Sequence, residues 1–182
     1  MNELRTVLLT SYMRPKLTQE AIDRVVSWKN LKKLIIVVDG LRTSANVEEE
    51  VWRSETIAAI ESSRKTDKME LWVYSNNVGM TNHYIRLQER VLGIDSSTIW
   101  IEEDMYIDLD SYLSLEFDSR LESRPQLISG YSHYNHGPGK RNELKGNLFL
   151  PIWGLTMNTN FHELIKKVWY DKKYQPEIVE KM

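Results

Sequence analysis

Ile99-Trp100-Ile101-Glu102-Glu103-Asp104-Met105 is the stretch on which the fold turns: an apolar run closed by three adjacent carboxylates. Acids packed side by side at the end of an internal strand repel one another and lose hydration. A divalent cation relieves both costs, and Mg²⁺ or Mn²⁺ takes one or two carboxylates together with phosphate oxygens and water. The run is therefore expected to be a buried strand over 98–101, with the triplet behind it as a metal and phosphate site. Alternate side chains of a strand share a face. Glu102 and Asp104 then point one way and Glu103 the other, unless the strand ends first. A solvated strand end is the plainer reading; Ile99, Trp100 and Ile101 argue instead for an internal site. Asp108 and Asp110 follow, but without alternating acids and a turn glycine they make no EF-hand loop.

Upstream, three more short runs share this pattern. Thr6-Val7-Leu8-Leu9-Thr10 is nearly continuous, as a strand covered on both faces should be, and it leads into Ser11-Tyr12-Met13-Arg14-Pro15. Leu34-Ile35-Ile36-Val37-Val38 stops at Asp39-Gly40. Glu70-Leu71-Trp72-Val73-Tyr74 runs into Ser75-Asn76-Asn77-Val78-Gly79. Between them lie helical patterns. One spans about 19–28, capped by Thr18, with Ile22, Val25 and Val26 on one face. A second spans about 45–64, with Val47, Val51, Ala58 and nearby Trp52 expected on its inner face. A third spans about 80–92, with Tyr84, Leu87 and Val91 at helical spacing. The order β-α-β-α-β-α-β predicts a parallel sheet with right-handed crossovers. Ligands of such sheets gather at the carboxyl ends of the strands. Ser11, Arg14, Asp39, Asn76, Asn77 and the triplet all fall on that edge.

Downstream, 110–121 reads as a helix, 126–129 as a strand, 132–147 as a polar loop and 160–170 as a final helix. Loops of that length in a compact domain are often functional. His133 and His136 fall in it, where acceptor contact or no role at all is favoured over metal ligation.

Composition narrows the class. The 182 residues suit one α/β domain. The formal net charge of −2 argues against a nucleic-acid binder that relies on an overall basic field. The chain has no cysteine, so disulfides, thiolate metal sites and cysteine nucleophiles are excluded. No signal peptide is recognised and no apolar stretch approaches ~20 residues, so a cytoplasmic protein without an integral membrane segment is expected. A P-loop, a G-x-G-x-x-G turn and a G-x-S-x-G elbow are all missing.

Singly, the strand-end groups are weak. Asp39 can accept from a base N–H or a ribose hydroxyl, or simply start a turn. Asn77 and Gly79 suit a nucleotide, or any turn. Arg14 can pair with a phosphate, or lie on the surface. In order, however, Thr10-Ser11-Tyr12-Met13-Arg14-Pro15, Val37-Val38-Asp39-Gly40, Asn76-Asn77-Val78-Gly79 and Ile101-Glu102-Glu103-Asp104 resemble glycosyltransferases of the GT-A fold, and in particular the N-acetylglucosaminyltransferase I-like enzymes. The likeness covers about 5–110. It continues more thinly through Pro151-Ile152-Trp153-Gly154-Leu155 and Phe161-His162-Glu163-Leu164.

The resemblance implies one Rossmann-like GT-A domain over 1–182, with a mostly parallel sheet and helices on both faces. Residues 1–104 would be the nucleotide-binding half and 105–182 the acceptor side. It implies a Mn²⁺- or Mg²⁺-dependent transfer of sugar from a UDP-linked donor to a hydroxyl of a glycan or other acceptor. Asp104 would ligate the metal, with Glu102 as a second candidate, and Glu103 would contact the ribose or a water. Asp39 would read the base, with Thr10, Ser11, Tyr12, Arg14, Asn77 and Gly79 around the nucleotide. Asp171 or Glu163 would be the base that an inverting reaction needs. Such domains usually run longer than 182 residues, and a late metal-joining histidine has no counterpart after His162. A non-catalytic sugar-nucleotide or carbohydrate-binding module is thus an alternative, and a divalent-metal nucleotide hydrolase a further one.

Overall fold

Alternation along the first strand decides which elements cover the sheet. In a computed structural model, which describes residues 4–63, 66–77, 79, 83, 87, 90, 98–106, 109, 160, 161, 163, 164, 167 and the backbone of 127–129 and 155–157, β1 spans Arg5–Ser11 and is buried throughout. Val7 and Leu9 face one side and Leu8 the other. β2 (Leu31–Val38), β3 (Met69–Val73) and β4 (Ile99–Glu102) repeat the alternation. Leu34, Ile36, Val38, Ile99 and Ile101 join Val7 and Leu9, while Ile35, Val37, Trp72 and Trp100 join Leu8. Both faces are apolar because both are covered.

The first face is covered by α1 (Pro15–Val26) and α2 (Val47–Ser62). In α1, Thr18, Ala21, Ile22 and Val25 are buried at the i, i+3, i+4, i+7 spacing of one helical stripe. Full burial of Ile22 or Val25 stabilises the fold by about 1.5–3 kcal/mol each. The helix begins earlier than the sequence predicts. Arg14 is its N-cap without a capping side-chain bond, and Pro15 occupies the first turn, where its missing N–H costs nothing. Thr18 is therefore no cap; it lies within the helix, fully buried.

α2 is closed by a capping box: Glu49 N–H donates to Asn46 Oδ1 at 2.9 Å and Asn46 N–H to Glu49 Oε2 at 3.1 Å. Its inner face is the reverse of the one expected. Val47, Val51, Trp52 and Ala58 are exposed, while Thr56 and Ile60 are buried and Ile57 packs beside them. At 3.6 residues per turn the two stripes lie nearly opposite. Contact with α1 decides between them, through Ser63 and Gln19 at the helix end. The second face carries Leu87 and Phe161, both at helical positions. Tyr84, Val91, the predicted helix 110–121 and the segments 132–147 and 148–154 lie outside the described residues.

The strand order is β3-β2-β1-β4-β6-β5, with β5 at Leu127–Ser129 and β6 at Leu155–Met157. β1 to β4 are mutually parallel; β6 runs antiparallel to both β4 and β5. The protein thus has an α/β fold with a mostly parallel sheet. The sequence did not mark β6 as a strand. From β1 the chain builds outward to β2 and β3, then returns to β1's other side for β4. That reversal makes a switch point between β1 and β4, the position at which open α/β sheets form a ligand crevice at the carboxyl ends of their strands. Among the described residues no helix is long and apolar enough to cross a membrane.

Candidate functional site

Two clusters of polar side chains stand on the carboxyl edge of the sheet. The first flanks the β1–β4 crevice, where Thr10 is in register with Glu102. β4 ends at Glu102, and the chain turns at once, with Met105 N–H donating to Glu102 O at 3.1 Å. The strand ends here, but burial along the triplet still alternates. Glu103 turns inward and is 7% exposed, Asp104 turns outward, and Glu102 is half-buried.

Arg14 reaches this turn from the β1 side. Its Nη1 donates to Asp104 Oδ2 at 2.5 Å, and its Nε lies 3.7 Å from Glu103 Oε1. Met13, just before it, has φ 54, a left-handed conformation uncommon for a side-chain-bearing residue. The turn is braced from within. Thr18 Oγ1 donates to Arg14 O at 2.8 Å, so the 2.5 Å contact between Ser11 and Thr18 hydroxyls has Ser11 as donor. Ser11, expected among the nucleotide contacts, thus spends its proton on holding the turn. Thr10 Oγ1 makes a long 3.4 Å bond to Ile101 O. The Tyr12 hydroxyl is shut from solvent and has no partner in hydrogen-bonding geometry among the described residues, although Arg42 lies close by.

Burial pushes the Glu103 carboxyl up to about 7. Asp104's charge pushes the same way. Backbone N–H groups, its own and Tyr12's, and the Arg14 guanidinium pull it back without cancelling the desolvation. Glu103 thus sits beneath the crevice, tied to both strand ends, half-protonated near neutrality.

The second cluster joins the ends of β2 and β3. Asp39 Oδ1 accepts from Gly40 N–H at 2.8 Å, and Asp39 Oδ2 accepts from Asn77 Nδ2 at 2.9 Å. Asn77 also donates to Gly40 O at 3.1 Å and accepts from Gly79 N–H at 2.9 Å. A side chain on residue 40 is impossible, since a Cβ would lie 2.0 Å from the Asn76 carbonyl carbon. Arg53 of α2 clamps the arrangement, donating to Asp39 O at 3.0 Å and Tyr74 O at 2.6 Å. His83 is buried against Tyr74, ring edge to face, with Nδ1 3.7 Å from Asp39 Oδ1. Burial lowers the His83 pKa and the Asp39 charge opposes that shift.

The fold thus brings Thr10, Ser11, Tyr12, Arg14, Glu102, Glu103 and Asp104 together, and Asp39, Asn77 and Gly79 beside them. Glu163 is exposed on the helical segment beyond β6, whose Phe161 packs on the second face. Asp171, His133 and His136 lie outside the described residues. Thr18 was read from sequence only as a helix cap, and Arg42, Arg53 and His83 were not identified. Arg53 alone left a trace there, falling on the same helical stripe as Thr56 and Ile60.

Among the described residues no group of three or more His, Asp or Glu converges as a metal cage. The donors on offer are the outward Asp104 carboxylate and the half-buried Glu102. That set fits an ion completed by phosphate and water oxygens, and does not fit one held by protein alone. The guanidinium on Asp104 shows that this carboxylate accepts a cationic partner. No protein-family model matches the chain, and no curated protein sequence matches it.

Proposed function

We propose that the protein is a metal-dependent glycosyltransferase of GT-A architecture, moving a sugar from a nucleotide-diphosphate donor, UDP-linked, to an acceptor hydroxyl. The observation that carries this reading is the meeting of Arg14, Glu103 and Asp104 across the β1–β4 switch point. An arginine and an outward carboxylate there suit a diphosphate and its divalent cation. The N-terminus of α1, uncapped by any side chain, opens beside them and favours negative charge. The enclosed Tyr12 hydroxyl and the Asp39–Asn77 pair suit the nucleoside, with both Asp39 oxygens retaining lone pairs for a ligand donor.

In this reading Asp104, with Glu102 in support, anchors Mn²⁺ or Mg²⁺, whose chemistry when bound is to stabilise the departing diphosphate. Arg14 pairs with the phosphates, Asp39 reads the base, and Glu103 holds the β1 and β4 ends in register beneath them. The acceptor oxygen bonds to the anomeric carbon as the bond to the diphosphate oxygen breaks. The acceptor proton passes to a carboxylate, for which Asp171 and Glu163 are the candidates. Titrating UDP-sugars by calorimetry, with and without Mn²⁺, tests the proposal. Absence of binding to any UDP-sugar by folded protein with Mn²⁺ present would sink it. Binding without transfer or donor hydrolysis would make the protein a binding module. Phosphate release from simple nucleotides would make it a hydrolase.

A further inference from the structure

Arg14 already supplies a positive charge to the outward carboxylate of the triplet. It leaves the N-cap of α1, crosses the switch-point crevice and sets its Nη1 2.5 Å from Asp104 Oδ2. Its field is shared with Glu103, 3.7 Å from Nε, and with Glu102. The outward carboxylate of the triplet therefore already has a counter-charge. The contact is also easily undone. The Arg14 side chain is 52% exposed and that of Asp104 47% exposed, and ion pairs so placed are weak and exchange readily with solvent.

We propose that Arg14 and a divalent cation compete for Asp104, and that a nucleoside diphosphate resolves the competition. The inference rests on the nucleotide-sugar reading. A diphosphate offers Arg14 a stronger, bidentate anionic partner and supplies the oxygens that complete the cation's shell. Asp104 is then freed by the same ligand that brings the remaining metal ligands. Cation binding is weak in the nucleotide-free protein and strong in its presence, and by linkage the cation strengthens nucleotide binding by the same factor. Removing a neighbouring unit charge from beside a divalent ion, even at water-like screening, raises the ion's affinity on the order of tenfold.

The test measures Mn²⁺ binding by calorimetry in nucleotide-free wild type, Arg14→Gln, Arg14→Met and the double variant Arg14→Gln/Asp104→Asn, and repeats the wild-type titration at saturating UDP. Arg14→Gln and Arg14→Met are expected to bind Mn²⁺ alone about tenfold more tightly than wild type, and the double variant to lose that gain. UDP is expected to raise the wild-type Mn²⁺ affinity by at least as much. Equal Mn²⁺ affinity in wild type and both single variants overturns the competition, as does Mn²⁺ binding by none of them. Wild-type affinity unmoved by bound UDP overturns the coupling. Failure of UDP to bind at all, with the Arg14→Gln gain present, removes the nucleotide-sugar reading while leaving the competition standing. The Arg14 side chain is 52% exposed, so both single variants should fold, and a melting curve of each checks this before its titration.

Discussion

Glu103→Gln exchanges a buried, titrating carboxyl for a neutral amide of nearly the same shape, and so isolates the cost of holding that charge under the crevice. The Glu103 carboxyl is 7% exposed and titrates near 7 in the fold against an ordinary value of 4.5. Its folded-state affinity for a proton is raised, so its contribution to stability is fully present below about 4.5 and falls as pH rises toward about 7. Each pH unit between those values is worth about 1.4 kcal/mol, so ionised Glu103 costs the fold roughly 3 kcal/mol at pH 8. The amide mimics the protonated acid and escapes that cost. Urea unfolding of both proteins in EDTA, at pH 5, 6.5 and 8, reads the difference directly. The gain of Glu103→Gln over wild type should be under ~1 kcal/mol at pH 5 and approach ~3 kcal/mol at pH 8. Comparing the two proteins at each pH cancels every other titrating group. A difference that stays constant across that range would show that Glu103 is solvated or fully paired, and the account of the crevice floor would be wrong.

Three further outcomes follow from the second cluster. Gly40→Ala should cost more than ~3 kcal/mol in a urea melt, because its Cβ meets backbone rather than a movable side chain. Arg53→Met should cost about 1–3 kcal/mol, leaving the carbonyls of Asp39 and Tyr74 short of a charged donor; UDP-sugar affinity should fall with it, since Asp39 loses its brace. The His83 pKa is lowered, so its contribution is present above the unfolded value of 6.5 and is lost as pH falls below it. NMR titration of the His83 ring should therefore show a midpoint below 6.5; one above it would mean that Asp39 outweighs burial.

The parallel half of the sheet was legible because its strands are buried on both faces, which leaves uninterrupted apolar runs such as 34–38 and 99–101 that end abruptly at polar groups. The same logic located the strand-end residues, since parallel strands put all their carboxyl ends on one edge. It could not locate β6. Three residues, Leu155–Met157, carry too little pattern to announce a strand, and their pairing partner Trp100 is far away in sequence. Nor could it orient α2, in which Val47, Val51 and Ala58 form an apolar stripe as regular as the buried one. The docking of α1 chose between them, and that is tertiary information. The depth of Glu103 relative to Asp104 depended on where β4 stopped, a matter of one residue. That residue separates a carboxylate facing solvent from one sealed beneath an arginine.

The placement of β6 also bears on how the chain can be divided. Every strand-end residue of the two clusters lies before residue 107, which invites cutting the chain there. Yet β6 lies along the flank of β4, pairing across Trp100 and Leu155, and β5 extends the sheet beyond it. A fragment ended after the acidic turn would present β4 as a bare edge, an open template for a neighbouring chain. The stretches proposed for nucleotide and acceptor recognition lie apart in sequence, but β4 and β6 join them in one sheet. The seam runs through the strand that carries the triplet.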